Sequence, residues 1–224
     1  MPSPLFSDSP EDMSPVPPID LAARLAARLC HDFISPVSAI VSGLDLIDDP
    51  EQQDMREEAM ALISASARKL AAHLSFARIA FGGSAAAESF DVRELEKLAN
   101  DLYEHSRADL EWNAEVPVLD KPAARAMLNL AQLGASVLPV GGTARLSAAE
   151  APGGQVALTL DARGPRARIR PEAVDGLEGR PFGEGLAGHW VQAYFLRAVV
   201  DQAGGALALD VEDEAVRLRI SLPG

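Results

Sequence analysis

Residues 25–50 read LAARLCHDFISPVSAIVSGLDLIDDP and, together with the residues just before them, set the architecture of the first third of the chain. Apolar side chains recur there in steps of three and four, which is the spacing of one face of an α-helix. They are Leu21, Leu25, Leu29, Phe33, Val37, Ile40, Leu44 and Ile47. Asp20 is of the residue type that caps a helix N-terminus. Asp49-Pro50 ends this helix and opens another, with Asp as the cap and Pro at the first helical position.

A second apolar stripe predicts a second helix, so the first part of the chain is a helical hairpin. Its members are Met55, Ala59, Leu62, Ile63, Ala67, Leu70, Leu74, Ala77 and Phe81, and Gly82-Gly83 stops it. Each helix is predicted to contain roughly 28–30 residues and to run about 45 Å. Two antiparallel helices leave much apolar surface uncovered, so we expect two hairpins to pair in a homodimeric four-helix bundle. The alternative is that the second half of the same chain covers the stripe.

The second half of the chain has the pattern of a mixed helix-and-sheet domain. Asp91 with Glu94 predicts a capped helix to about His105, and Asp120-Lys121-Pro122 opens another to about Leu138. A third helix is predicted over 190–202, and strands over 109–112, 144–148, 155–161, 206–211 and 216–222. The fold class is therefore α+β, with about five mostly antiparallel strands and helices on one face.

Composition divides the chain into four segments: a disordered Pro-rich tail (1–18), the hairpin (19–83), a small-residue linker (84–89) and the sheet domain (90–224). The N-terminus has no basic start and no apolar core, so it is not a signal peptide. The longest uncharged stretch, 126–144, is interrupted by polar residues and a Gly-Gly pair, so no membrane span is predicted. A single cysteine and no export signal indicate the cytoplasm.

Charge and metal-ligand content exclude several function classes. Twenty Lys and Arg against 33 Asp and Glu give a net charge of −13, which argues against nucleic-acid binding. One cysteine, Cys30, excludes an intrachain disulfide framework and a cysteine metal cluster. Cys30 lies at the edge of the apolar stripe and is expected to be a small buried hydrophobe. The four histidines are too far apart in sequence to predict a metal site.

A polar row lies opposite the apolar stripe of the first helix. At helical spacing it contains Arg24, Arg28, His31, Ser35, Ser38 and Ser42. An exposed imidazole beside guanidinium and hydroxyl groups suits an anionic reactant such as a phosphoryl group, and neutral imidazole is a good nucleophile near pH 7. Asp32 is placed to hold the ring nitrogen that does not react. The alternative is an ordinary surface histidine, but Pro36 inside the helix is costly and favours a functional site.

The motif His31-Asp32-Phe33-Ile34-Ser35-Pro36 resembles the phosphoacceptor box of histidine kinases. The longer string around it resembles the ChpT family of alphaproteobacterial histidine phosphotransferases. The strings RELEKLA (93–99), GPRAR (164–168) and WVQAY (190–194) add to that match. The resemblance extends from about Leu21 to the C-terminus.

The resemblance implies a homodimer with a four-helix bundle and a C-terminal α/β sandwich like the ATPase (Bergerat) domain of histidine kinases, without nucleotide binding. It implies that His31 takes a phosphoryl group from the receiver domain of a hybrid histidine kinase of the CckA type. His31 then passes the group to the receiver aspartate of response regulators of the CtrA and CpdR type, which control the cell cycle. Mg²⁺ would come from the receiver domains, and no cofactor or metal is expected on this chain.

The kinase nucleotide boxes are degraded. In kinases, one of these boxes contains an asparagine that holds Mg²⁺. Asn129 is the only residue of this sequence that matches a position of that box. In the first glycine box Asp161 is kept, the glycine pattern is lost, and Arg163 would project where a base sits. Residues 183–186 partly preserve the second glycine box, which alone is weak evidence.

Arg166, Arg168 and Arg170 stand at alternate positions in an acidic protein and are candidates for docking a receiver. The alternative is a solvated loop that balances nearby acidic residues. Two other functions stay open on the sequence alone. One is an active histidine kinase, which requires ATP binding. The other is a dimeric adaptor that binds receivers without carrying phosphate.

Overall fold

The computed structural model describes residues 16–82, 87–183 and 187–224. The chain begins with helix α1 (Pro18–Asp48), a 3-10 helix (Pro50–Met55) and helix α2 (Arg56–Ala80). The predicted cap at Asp20 is wrong, because α1 begins at Pro18 and Asp20 lies within its first turn. Proline fits there because its fixed φ suits the first helical position. Residues 1–15 of the expected tail lie outside the described residues.

The hairpin turns at Asp49-Pro50 as predicted, but Pro50 opens a 3-10 helix and not the second long helix, which begins at Arg56 and has 25 residues, fewer than predicted. The side chain of Asp49 accepts a hydrogen bond from the Glu51 amide and caps the 3-10 helix, after which α2 begins at Arg56. The two long helices approach closely at Gly43, where a Cβ would lie 2.6 Å from Ile63 Cγ1 and 3.2 Å from the Ala59 carbonyl oxygen. A larger residue at this position would push the helices apart.

The C-terminal part combines four helices with two sheets. The helices are α3 (Val92–Tyr103), α4 (Lys121–Val137), α5 (Pro171–Leu177) and α6 (Ala187–Gln202). The strands are β1 (Ser89–Asp91), β2 (Ala108–Ala114), β3 (Val118–Asp120), β4 (Gly142–Ala151), β5 (Gln155–Arg163), β6 (Ala206–Glu212) and β7 (Ala215–Leu222). Asp91 and Asp120 cap α3 and α4 as predicted.

The main sheet has the order β2-β4-β5-β7-β6, in which β2 and β4 are parallel and the other pairs antiparallel. This confirms five mostly antiparallel strands. The inward face is apolar and fully buried, for example at Leu146, Leu160 and Leu218. The outward face carries a row of alternating charges across all five strands: Glu111, Arg145, Asp161, Arg217 and Asp210. Alternation along each strand therefore sends Asp161 away from the buried face.

Three short elements were not predicted: β1 and β3, which pair with each other, and α5. Each has between three and seven residues, which is too short for a periodic pattern to appear.

The hairpin is anchored to the sheet domain at the end of α2. Phe76, Ile79 and Ala80 belong to the same hydrophobic core as the sheet. The Asn129 side-chain amide of α4 donates to the Ala80 carbonyl oxygen at 3.1 Å. A helix end leaves its last carbonyl groups without helical partners, so this contact fixes α2 to α4.

One face of α1 stays apolar and exposed. Ile34, Val37, Val41 and Leu44 are 39–59% exposed and follow one another at steps of three and four. Cys30 is exposed at the same edge, so the prediction that it is buried is wrong. By length and composition alone, α1 is also apolar enough to cross a membrane. Length and composition are weak evidence for a membrane span, because a helix that pairs with another protein surface can be equally long and apolar.

Candidate functional site

His31 projects from α1 with 84% of its side chain exposed. Its Nδ1 lies 3.4 Å from Asp32 Oδ1, at the long end of hydrogen-bonding distance. The other carboxylate oxygen, Oδ2, accepts from Arg28 Nε at 2.9 Å. Arg28 and Asp32 are only about one-fifth exposed. Because Nδ1 faces Asp32, Nε2 is the ring nitrogen left for a reactant from solvent.

The three serines of the predicted row, Ser35, Ser38 and Ser42, are exposed on α1. They follow His31 at helical spacing, so they share its face. The residues buried against α2, Pro36 and Gly43, lie on a different face. The exposed apolar residues occupy a third face. The polar row predicted from the sequence is therefore present in the helix.

The two arginines of the row are engaged with the sheet domain. Arg28 Nη1 donates to the Gly188 carbonyl oxygen at 2.9 Å. The Arg24 guanidinium carbon lies 4.7 Å from the Phe182 ring centroid and 5.6 Å from that of Trp190. Both distances are within cation–π range. These contacts with the start of α6 and the segment before it could not be read from the sequence, although the Arg28–Asp32 spacing of four could.

A cavity of about 580 Å³ lies between α1 and the start of α6. Ala23, Ala27 and Ala187 line its apolar part, and His31 and His189 lie at its polar part. Burial lowers the pKa of His189, and the positive charges of Arg170 and then Arg28 lower it further. Arg170 therefore lies close enough to this cavity to act on it electrostatically.

His73 on α2 has a different environment from His31. Burial lowers the pKa of its half-buried ring, followed by the positive charge of Lys69, while Asp32 acts in the opposite direction. It lines a small cavity with Asp32 and Gln132 at the junction of the hairpin and the sheet domain. Its position is that of a packing residue.

Arg166, Arg168 and Arg170 are all exposed, but they do not form a strand. Arg166 has a φ of 58° within a turn, and the Arg168 amide donates to the Val137 carbonyl oxygen. Arg170 is the residue that precedes α5. The three arginines therefore do not form a straight, extended row, and the charge of Arg170 acts on His189.

The nucleotide-box residues of the described chain are engaged with neighbouring residues. Asp161 lies on the outward face of the sheet, paired with Arg163 and Arg217, while Ala162 occupies the buried inward position. The assignments of Asp161 to the first glycine box and of Arg163 to a base site stay predictions. Asn129 is completely buried and bonded to the end of α2. Residues 184–186 of the second glycine box lie outside the described residues, and within the described part no group of three metal-ligating side chains occurs.

Comparison with known proteins agrees with this geometry. Residues 92–215 match the family model of the histidine phosphotransferase C-terminal domain. The chain is 31% identical over 201 residues to the protein phosphotransferase ChpT of Brucella abortus, covering 88% of this chain and 93% of that protein. The solved structure of a bacterial phosphotransferase matches with a TM-score of 0.80 and 30% identity, over 92% of this chain and 97% of that one. A mycobacterial sensor histidine kinase, MprB, matches with a TM-score of 0.48 and 21% identity, over 61% and 97% of the two chains.

The family model, the relative and the solved structure together identify a phosphotransferase. The chain belongs to the histidine phosphotransferase family that includes ChpT.

Proposed function

We propose that His31 is the phosphoacceptor of a phosphorelay. The single observation that carries this proposal is the exposed His31 ring with Nδ1 turned towards Asp32. The donor is the receiver domain of a hybrid histidine kinase of the CckA type. The acceptors are the receiver aspartates of response regulators of the CtrA and CpdR type, which places the protein in cell-cycle control.

The transfer is a displacement at phosphorus. The Nε2 lone pair of neutral His31 attacks the acyl phosphate of the donor receiver, the P–O bond to the donor aspartate breaks, and its carboxylate leaves. The ring keeps its Nδ1 proton and becomes positively charged, which the Asp32 carboxylate stabilises. Attack by the carboxylate of a second receiver reverses these steps. Positioning dominates phosphoryl transfer, so a chain without its own ATP chemistry can carry it out.

Mg²⁺ is supplied by the receiver domains in this proposal. Asp161 and Asn129, the residues that match positions of the kinase boxes, are committed to other contacts. The sheet domain therefore acts without ATP.

The acting form is a cytoplasmic homodimer. The exposed apolar face of α1, with Ile34, Val37, Val41 and Leu44, supports this, since burying such a face stabilises association by about 25 cal/mol per Å². His31 lies on another face of α1, so pairing through the apolar face leaves it accessible.

Arg166, Arg168 and Arg170 dock the receiver beside His31. The support is charge: the positive charges of Arg170 and Arg28 both lower the pKa of His189, which lines the same cavity as His31. Charge reversal of all three arginines is expected to slow association with the receiver and to weaken the dependence of that rate on salt. Unchanged transfer kinetics would remove the docking role.

The phosphoacceptor assignment is tested by labelling with a phosphorylated receiver. His31→Gln is expected to take up no phosphate while keeping the oligomeric mass of the wild type. His73→Gln is the matched control and is expected to be labelled. Stable labelling of His31→Gln refutes the assignment, and receiver binding without any labelling of the wild type indicates an adaptor.

A further inference from the structure

We propose that Arg28 is a positioning residue through which the sheet domain orients the His31 ring. The inference rests on the proposed function of His31 and adds a role for the sheet domain in the chemical step. Three contacts in series carry it. The Gly188 carbonyl oxygen accepts from Arg28 Nη1, Arg28 Nε donates to Asp32 Oδ2, and Asp32 Oδ1 faces His31 Nδ1.

The residue type suits this series. A guanidinium group is planar and rigid, so it holds a carbonyl oxygen and a carboxylate at once in fixed directions. Both bonds are 2.9 Å long. An ammonium group on a flexible stem does not fix two acceptors in this way. Lysine at this position would keep the charge and lose the geometry.

The lack of a side chain at Gly188 also suits this series of contacts. A Cβ there would lie 3.1 Å from Arg28 Nη1 and 3.4 Å from its Cδ, tighter than ordinary van der Waals contact. The absence of a side chain lets the guanidinium group reach the carbonyl in the first turn of α6. Arg28 is thereby held in place from the sheet domain, and the Asp32 carboxylate is held in place by Arg28.

The consequence concerns the His31 tautomer. A fixed carboxylate facing Nδ1 favours the proton on Nδ1 and leaves the Nε2 lone pair free for attack. Without Arg28, the Asp32 carboxylate is free to rotate away, and the ring samples both tautomers and other orientations. The sheet domain thus prepares the nucleophile in addition to docking the receiver.

Arg125 provides a matched comparison. It also ties the hairpin to the sheet domain, because its Nη2 donates to the Gly82 carbonyl oxygen at 3.3 Å, but no contact joins it to Asp32 in the described structure. Arg125→Gln therefore loosens the junction of the hairpin with the sheet domain and leaves the Arg28–Asp32 pair in place.

The test uses phosphoramidate, a small phosphoryl donor that needs no receiver docking, on the full-length wild type and on the variants Arg28→Lys, Arg28→Gln and Arg125→Gln. Both Arg28 variants are expected to be labelled about tenfold more slowly, within the range that misplacing a reacting group costs. Arg125→Gln is expected to be labelled at the wild-type rate. In ¹⁵N NMR spectra of the ring nitrogens, the Arg28 variants are expected to lose the Nδ1–H preference of His31, and Arg125→Gln to keep it.

Two results overturn the proposal: Arg28 variants with the wild-type rate and tautomer, or an Arg125→Gln variant slowed equally. A different result marks the failure of the proposed function itself. If His31→Gln is labelled as fast as the wild type, His31 is not the phosphoacceptor, whatever the Arg28 variants do.

Discussion

Helices α1 and α4 are both long and apolar, but they are stabilised in different ways. In α4, 11 of 17 residues are buried, including Leu128, Leu130 and Leu133. In α1, two of 31 residues are buried, Pro36 and Gly43. One helix is the centre of a completed core, and the other has an apolar face that the described residues leave exposed.

The difference separates the two tasks of the molecule. Helix α4 packs between the sheet and the end of α2, so it fixes the frame that holds Gly188 and the arginines proposed to dock the receiver. Helix α1 keeps its surface available, with His31 on one face and an apolar row on another. Substitutions in α4 should therefore change the stability of the fold, and substitutions on the outer faces of α1 should change association and transfer.

The largest expected effect is in α4. Leu130→Ala removes a fully buried side chain and should lower the free energy of unfolding by about 2–5 kcal/mol. Urea denaturation followed by circular dichroism measures it. Val211→Ala, on an exposed position of β6, is the control and should cost no more than about 0.5 kcal/mol. Equal losses in the two variants would mean that α4 is not the centre of the core.

The next effect is on the exposed face of α1. The double variant Val37→Glu/Val41→Glu places charges on the apolar row and should reduce the sedimentation mass from two chains to one at micromolar concentration. Ser42→Glu adds a charge on the neighbouring polar face and should leave the mass at two chains. A wild-type mass of one chain would contradict the dimer, and the second half of the chain would then be the only cover for the hairpin.

The smallest expected effect is on the pH dependence of stability, at the junction of the hairpin and the sheet domain. His73 has a lowered pKa in the folded state because of burial and then Lys69, with His105 and Arg28 adding positive charge and Asp32 opposing them. The unfolded chain therefore takes up a proton first as the pH falls, and stability decreases from about the ordinary value of 6.5 downwards. His73→Gln should reduce the loss of unfolding free energy between pH 7.5 and 5.5. An unchanged pH dependence would place the cause elsewhere.

Much of the fold is visible in the sequence because its long elements have clear periods. The stripes of α1 and α2, the caps at Asp49, Asp91 and Asp120, and the five strands of the main sheet were all predictable. The start of α1 was not, because Pro18 and Asp20 both suit a helix N-terminus. The burial of Cys30 was predicted wrongly because the apolar residues of α1 lie on two faces of the helix. One face packs on α2, and the other, which Cys30 borders, is exposed.

The site was predictable only along one helix. The spacing of Arg28, His31 and Asp32 places them together whatever the rest of the chain does. The contacts from Arg28 to Gly188 and from Arg24 to Trp190 join residues about 160 positions apart, and no local pattern encodes them. The outward position of Asp161 could not be read from the box pattern, because a strand alternates its faces and a shift of one residue moves a side chain from the buried face to solvent.

The central claim is that phosphate reaches this chain through His31 and not from ATP. Incubation with radiolabelled ATP tests it directly, with the chain alone and with a hybrid histidine kinase that carries its receiver domain. The account predicts label on the wild-type chain only when the kinase is present, and none on His31→Gln in either case. Label on the wild type with ATP alone would show that the sheet domain binds nucleotide and would contradict the account.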